Sequence, residues 1–283
     1  MRQYHSYKYK TNFHDMKENK LKVRYMSDLH IDVNYDYPFE LDDKDTFTVI
    51  AGDIAGDYNI AKEWINKNIK NGIIIEGNHI VYNDDKLSLQ KLYKRYQDDF
   101  PKDNNVTFLQ NDYKIINDVV FIGCTLWTDY RLFGYLGTRE PYKCMNDFRF
   151  GIYEEVEWTG LNSKYVDTHL LPEHCINEFK ISIEEIERLC DKFMGYKIVL
   201  VTHHCPSIKC LSPNYRHDNI SQAYASNLEY FIKNHSNIVC WICGHSHNQC
   251  DFKIDGCRVV MNCRGYERYN ESYNFKPNKS ILI

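Results

Sequence analysis

Asp28 and His30, Asp53, Asn78 and His79, His203 and His204, and His245 and His247 each stand just beyond a short apolar run. The runs are LKVRYMS (21–27), TFTVIAG (46–52), NGIIIEG (71–77), KIVLVT (197–202) and NIVCWIC (237–243), and all read as buried strands. Two carboxylates, an amide oxygen and several imidazoles suit borderline divalent ions such as Mn, Fe, Zn, Ni or Co. They do not suit calcium, whose sites are built from oxygen alone. In open α/β sheets, residues beyond the carboxyl ends of the strands collect in one crevice, so positions distant in sequence can meet there. Asp28 and His30 are two apart, as are His245 and His247. If the extended conformation persists, each pair projects to one side. Taken singly, each piece has a plainer reading. Asp-x-His is commonly a surface pair, Gly-Asp a turn, and Gly-Asn-His an Asn-capped helix start. His203-His204 alone would be a packed histidine with an exposed neighbour. The joint, ordered occurrence at five strand ends points to a metal centre.

The elements that must carry these residues are legible from periodicity. Helical spacing predicts helices over 58–70, 85–99, 173–193 and 221–234. Further strands are expected at 106–110, 113–116 and 119–127, with a turn at Asn117-Asp118, and a last strand in SILI (280–283). Asp255-Gly256 marks a hairpin between QCDFKI and CRVVMN. Residues 128–170 show no clean period and read as a long irregular rim or lid. Its Tyr130, Tyr135 and Tyr142 read as packing rather than as base-stacking rings. Residues 1–20 read as a polar N-terminal extension and 21–283 as one α/β domain.

Composition narrows the function classes. Of 283 residues, 43% are hydrophobic and 26% charged, which excludes a disordered chain. A net charge of -4 gives no global positive field to recruit long nucleic acid or an anionic membrane. The 11 cysteines, with no apolar leader in the first twenty residues, imply reduced thiols and a cytoplasmic location. Cys240-Trp-Ile-Cys243 has a redox-like spacing, but residues three apart on a strand face opposite sides, so the pair reads as two buried structural thiols.

The ordered set Asp-x-His, Gly-Asp, Gly-Asn-His, His and Gly-His-x-His resembles the calcineurin-like metallophosphoesterase superfamily over roughly residues 21–283. Segments 125–129 (TLWTD), 145–149 (MNDFR), 201–207 (VTHHCPS), 223–229 (AYASNLE) and 262–266 (NCRGY) resemble a bacterial-type branch of simple phosphohydrolases. The resemblance implies a four-layer αββα sandwich with two mixed sheets and a dinuclear metal site at the strand C-terminal ends. It implies two divalent ions (Mn, Fe, Zn or Ni, with Mn favoured). Asp28, His30 and His247 would hold the first, Asn78, His203 and His245 the second, and Asp53 would bridge. A hydroxide bridging the ions would attack a phosphodiester or phosphomonoester, nucleotide or cyclic nucleotide included, with His79 as general acid. His204, Arg149 and Arg264 are candidate substrate contacts. One departure is Ile80, where the family usually has Asp or Glu after Gly-Asn-His; Asp84 is a candidate substitute. A repair nuclease of the superfamily would need DNA-binding regions that the acidic balance does not favour. A non-catalytic scaffold would have lost ligands, whereas all seven positions are filled here.

Overall fold

The computed structural model describes residues 20–82, 85–159 and 162–283. Among the described residues, thirteen strands form two large sheets and a hairpin. They are β1 (Lys22–Met26), β2 (Thr48–Ala51), β3 (Gly72–Ile75), β4 (Val106–Phe108), β5 (Asp112–Ile116), β6 (Val119–Cys124), β7 (Ile152–Thr159), β8 (Asn162–His169), β9 (Lys197–Thr202), β10 (Ile238–Cys243), β11 (Gln249–Ile254), β12 (Cys257–Asn262) and β13 (Ser280–Leu282). The first sheet has the order β13-β1-β2-β3-β4 and the second β11-β12-β10-β9-β6-β5; β7 and β8 pair with each other. Both large sheets are mixed, with parallel centres and antiparallel edges at β13, β11 and β5.

Alternation along the strands builds the layers. Val49, Ala51, Ile73 and Ile75 of the first sheet pack with Phe121, Val199, Val201 and Ile242 of the second, forming the seam between sheets. Their neighbours Ile50 and Ile74 face outward onto α1 (Tyr58–Asn68) and α2 (Leu89–Asp99), through Ile65, Leu92 and Tyr96. Ile198, Leu200 and Trp241 face the opposite way onto α5 (Pro172–Lys192) and α6 (Glu229–Asn234), through Phe179, Ile186 and Ile232. A strand whose two faces are both covered needs a near-continuous apolar run, and these runs have that character. The four-layer αββα sandwich is the fold.

Several expectations need correction. Residues 128–170 are not irregular: they hold α3 (Arg139–Cys144), α4 (Asp147–Phe150) and the β7–β8 hairpin. That hairpin stands apart from both sheets, so Glu154, Glu155 and Glu157 replace the apolar alternation that would have marked it. The helix expected over 221–234 is confined to α6, because a short 3-10 turn (Asn219–Ala223) and extended residues precede it. The 119–127 run leaves its strand after Cys124, and Leu126 and Trp127 take positive φ values. Among the described residues, no helix is long and apolar enough to cross a membrane. Residues 1–19 of the expected extension, and Asp84, lie outside the described residues.

The two sheets are stitched where β1 and β12 end. Ser27 N–H donates to Asn262 O (3.2 Å), Arg264 N–H to Ser27 O (3.0 Å) and Gly265 N–H to Asp28 O (2.9 Å). The fully buried Asn262 amide donates to Tyr25 O and Lys276 O, both at 2.9 Å. Asn262→Leu removes these two bonds and the one its Oδ1 accepts from Lys276 N–H (3.3 Å). At about 1 kcal/mol net per bond, it is expected to lower unfolding stability by about 3 kcal/mol in a urea titration.

Candidate metal centre

Each expected ligand sits just past the strand that carries it. Asp28, Asp53 and Asn78 come from the first sheet, and His203, His245 and His247 from the second, so the site lies across the seam. The extended conformation does not persist into the ligands. Asp28 (φ 54°), His30 (43°), Asp53 (55°), His245 (71°) and His247 (49°) all lie in the left-handed region. Non-glycine residues there cost of order 1–3 kcal/mol each, and such strain clusters at functional sites. The turn lets Asp28 O accept Gly265 N–H, and Asp28 carboxylate oxygens accept His245 N–H at 2.9 and 3.1 Å.

The donors converge as three overlapping groups. These are Asp28, His30 and His247; His30, Asp53 and His79; and Asp53, His203 and His245, with ligand atoms in each within 4.8 Å of one another. His30 Nε2 lies 3.0 Å from His247 Nε2, and His247 Nε2 lies 3.5 Å from Asp28 Oδ1. His203 Nε2 lies 3.2 Å from Asp53 Oδ2 and 3.1 Å from Asn78 Oδ1.

The orientation of these atoms tests whether a cation fits. His203 Nδ1 faces Ala51 O at 2.8 Å, and a carbonyl only accepts, so Nδ1 must carry a proton. The Asn78 amide nitrogen donates to Asp147 Oδ1 at 2.8 Å, which fixes its oxygen toward His203. A neutral His203 would therefore present a lone pair to two oxygen acceptors in a fully buried space. Only a cation between them, proton or metal ion, removes that repulsion. His245 Nε2 and His30 Nδ1 are buried with no hydrogen-bond partner among the described residues. Burial holds both of these histidines well below the usual imidazole range, which keeps them in the neutral form that ligates metal. Burial would raise Asp53, but the facing charges of His203 and His79 hold its carboxyl well below the usual range. The donor set fits a pair of divalent ions.

Outer contacts aim the donors, and the sequence reading missed them. Glu271 Oε2 lies 2.6 Å from His247 Nδ1, so that the far nitrogen faces the cluster. Asp147 orients Asn78, and burial pushes Asp147 up to about 6. Tyr224 stacks on His245 with ring centroids 4.4 Å apart, and Tyr266 on His30 at 4.6 Å. Glu271 carries no sequence signal, being a lone acid in an irregular stretch. Asp147 and Tyr266 lie in the two segments singled out above, where the arginines drew the assignment instead.

The arginines do not reach the site. Arg264 is buried, with its guanidinium committed to Leu29 O, Tyr37 O and Glu267, over the Phe39 ring. It lines a separate cavity with Tyr37 and Trp64. Arg149 is exposed and bonded to Asn146 and Lys143 O. His204 packs behind the ligands, its Nδ1 3.1 Å from Thr125 O and its ring stacked on Trp127. Burial and the neighbouring His203 push it down to about 3. His79 borders the cavity: its Nε2 is 3.9 Å from Asp53 Oδ2 and 3.2 Å from Tyr266 Oη. Burial lowers its pKa while the Asp53 charge opposes. Ile80 packs in the core beside α1 and α2. The cavity over the ligands has a volume of about 620 Å³, and Tyr82, Tyr215, Tyr224 and Tyr266 contribute to its wall. No lysine or arginine is among the described residues that line it. Tyr130, Tyr135 and Tyr142 do not line it either.

Close approach explains the glycines. A Cβ on Gly77 would lie 2.2 Å from Asp53 Oδ1 and 2.6 Å from His203 Nε2. Gly52, at φ 89°, would meet His203 Nδ1 at 2.4 Å. Gly77→Ala should leave the fold intact by circular dichroism but shift both ligands. A displacement near 1 Å costs on the order of 10²-fold in turnover. Glu271→Gln should weaken divalent-metal binding about 10- to 100-fold by calorimetry, the usual effect of losing such a partner.

No protein-family model matches the chain. It is 24% identical over 296 residues to an uncharacterised protein of Acanthamoeba polyphaga mimivirus, covering 92% of this chain and 96% of that one. The solved structure of a phosphopantetheinyl hydrolase from Mycobacterium tuberculosis superposes with a TM-score of 0.69 at 15% identity, over 92% of this chain and 95% of that one. A putative 5'-nucleotidase from Staphylococcus aureus aligns at TM-score 0.46 and 14% identity, over 87% of this chain and 49% of that one. The likeness to the hydrolase, end to end, is a likeness of fold.

Proposed function

We propose that this chain, which has the calcineurin-like phosphoesterase fold, is a metal-dependent hydrolase of a small phosphate ester. The reading rests on one observation: His203 Nε2, Asn78 Oδ1 and Asp53 Oδ2 face one another, buried, at 3.1–3.2 Å, around a space that must hold either a proton on His203 or a metal ion. Asp28, His30 and His247 would hold one divalent ion, Asn78, His203 and His245 the other, and Asp53 both. When bound, such a pair supplies Lewis acidity toward phosphate oxygens and lowers the pKa of water toward neutrality. The mixed nitrogen and oxygen donors support manganese, iron, zinc or nickel, with manganese the first to test.

The chain's own residues supply the rest. His79 stands at the cavity with Nε2 beside both Asp53 and Tyr266, where it can deliver a proton to a leaving oxygen. Tyr266 takes the orienting part that Ile80 cannot, since Ile80 points into the core. With no lysine or arginine among the described lining residues, phosphate charge must be offset at the ligand cluster itself. Asp32, Asp218 and Glu271 in the wall disfavour heavily anionic substrates. The four tyrosines support a flat group beside the phosphate, such as a nucleobase. Either a phosphodiester or a phosphomonoester satisfies these constraints. The free cysteines fit a reducing cytoplasm.

The test is hydrolysis of bis-p-nitrophenyl phosphate with manganese, followed by a screen of cyclic nucleotides, dinucleotides and phosphomonoesters. Turnover should vanish with EDTA, return on adding metal, and be absent in Asp53→Ala. No turnover with any of the four metals would overturn the reading. His79→Asn should lower kcat about 10²- to 10⁴-fold on an alkyl ester, whose leaving group needs a proton, and far less on the nitrophenyl ester. Equal, unchanged kcat on both would remove His79 from that role.

A further inference from the structure

We propose that Cys205, Cys210 and Cys243, joined by Cys250, form a separate thiolate site for a thiophilic divalent ion, with zinc as the best fit. Cys205, Cys210 and Cys243 are buried, and their sulfurs all lie within 4.8 Å of one another. The Cys210 and Cys243 sulfurs are 4.0 Å apart. Tetrahedral zinc with Zn–S bonds of ~2.3 Å places sulfurs about 3.8 Å apart. These three sulfurs therefore need to draw together by no more than about an ångström, with Cys250 closing in as the fourth.

The sheet register puts a fourth cysteine on the same face, two strands from Cys243. Cys243 of β10 pairs with Met261 of β12, and Met261 pairs with Cys250 of β11. Directly paired residues share a sheet face, so the three side chains form one row. Met261 Sδ lies 3.9 Å from Cys205 Sγ, which ties that row to the loop after β9. Cys250 is half-buried at the margin of the row and interacts with the Cys210 thiol. The spacings Cys205-x4-Cys210 and Cys243-x6-Cys250 draw the ligands from two segments, as a structural clip does.

Buried thiols are often only small apolar fillers. Among the described residues, no other group of cysteines gathers in this way, although Cys124, Cys175, Cys190, Cys240, Cys257 and Cys263 are also buried. A disulfide would use two sulfurs and leave the third without a role. Coordination uses all of them, with one proton released to solvent per sulfur bound. The site also has a structural use. Cys205 lies two residues after His203, and Cys243 two before His245. Ser246 and Asn248 donate to Cys210 O at 3.2 and 2.9 Å. An ion here would clip the His245-Ser246-His247 turn to the loop beyond β9.

Cobalt distinguishes this site from the centre above, whose donors are nitrogen and oxygen. The full chain is stripped of metal, reduced anaerobically and titrated with cobalt. A thiolate-to-cobalt charge-transfer band in the near ultraviolet is expected in the wild-type protein and equally in Asp53→Ala. It should weaken in Cys210→Ser, be lost in the Cys210→Ser/Cys243→Ser double variant and stay unchanged in Cys240→Ser, and zinc should quench it. Absence of the band in the wild-type chain would overturn the proposal whether or not the variants fold. So would a band of undiminished intensity in the double variant, or a Cys210–Cys243 disulfide in protein prepared anaerobically. None of these outcomes depends on turnover, so the phosphoesterase reading stands or falls separately.

Discussion

Electron-pair donors held face to face in a buried space are the constraint on which the rest of this molecule turns. His203, Asn78 and Asp53 cannot relax away from one another, because each is fixed from behind by Ala51 O, Asp147 and the His79 backbone N–H. An arrangement that repels itself persists only when something positive completes it and the surrounding fold is stable enough to hold it meanwhile. The left-handed conformations at five ligand positions are part of the same cost. They turn each chain sharply at its strand end, so that side chain and backbone both aim into the crevice. Glycine is required where those turned chains pass within contact of a ligand, as Gly77 does beside Asp53.

The two sheets divide the ligand set between them, and this couples fold to site. Neither sheet alone carries the whole set of converging donors: Asp28, His30, Asp53 and Asn78 follow strands of the first, and His203, His245 and His247 follow strands of the second. The apolar seam of Val49, Ile73, Phe121 and Val201 supplies the driving force for their docking, but it is not directional. Register is set by the polar stitches at the ends of β1 and β12, where Ser27, Asn262, Arg264 and Gly265 exchange backbone and amide hydrogen bonds. Arg264 belongs to this stitching. Its guanidinium spans Leu29 O, Tyr37 O and Glu267, which anchors the loop after His30.

Most of the sandwich, and the convergence of seven ligand-type residues at one crevice, were legible in the sequence for a physical reason. A strand covered on both faces must be continuously apolar, so a polar residue of ligand type at its end stands out. The same logic explains what was not legible. The β7–β8 hairpin lies outside both sheets and buries little besides Tyr153, so it lacks the pattern that marks a strand. Glu271 and Tyr266 act through the tertiary placement of an irregular segment, and nothing local to them encodes it. Segments 145–149 and 262–266 drew notice, but residue type misled. An arginine suggests phosphate, yet it was the adjacent Asp147 and Tyr266 that the fold turned toward the ligands. Which side of a loop faces a site is decided by packing, and a short irregular segment has no period from which to read it.

The thiol cluster and the histidine cluster are carried by the same two strand ends, β9 and β10, and this has a mechanical consequence. His245 and His247 lie on a turn whose φ values are strained, and a strained turn holds its geometry only if its flanks cannot yield. On one side Asp28 accepts the His245 N–H and Glu271 grips His247. On the other, the turn leans on Cys210 through Ser246 and Asn248. Packing of thiols against Met261 alone is adaptable, since sulfur contacts are soft and non-directional. Coordination would replace that softness with fixed bond lengths directly beneath the ligands. With both proposed sites filled, the His245–His247 turn would be held from below by the sulfur row as well as from above by the ions of the histidine cluster.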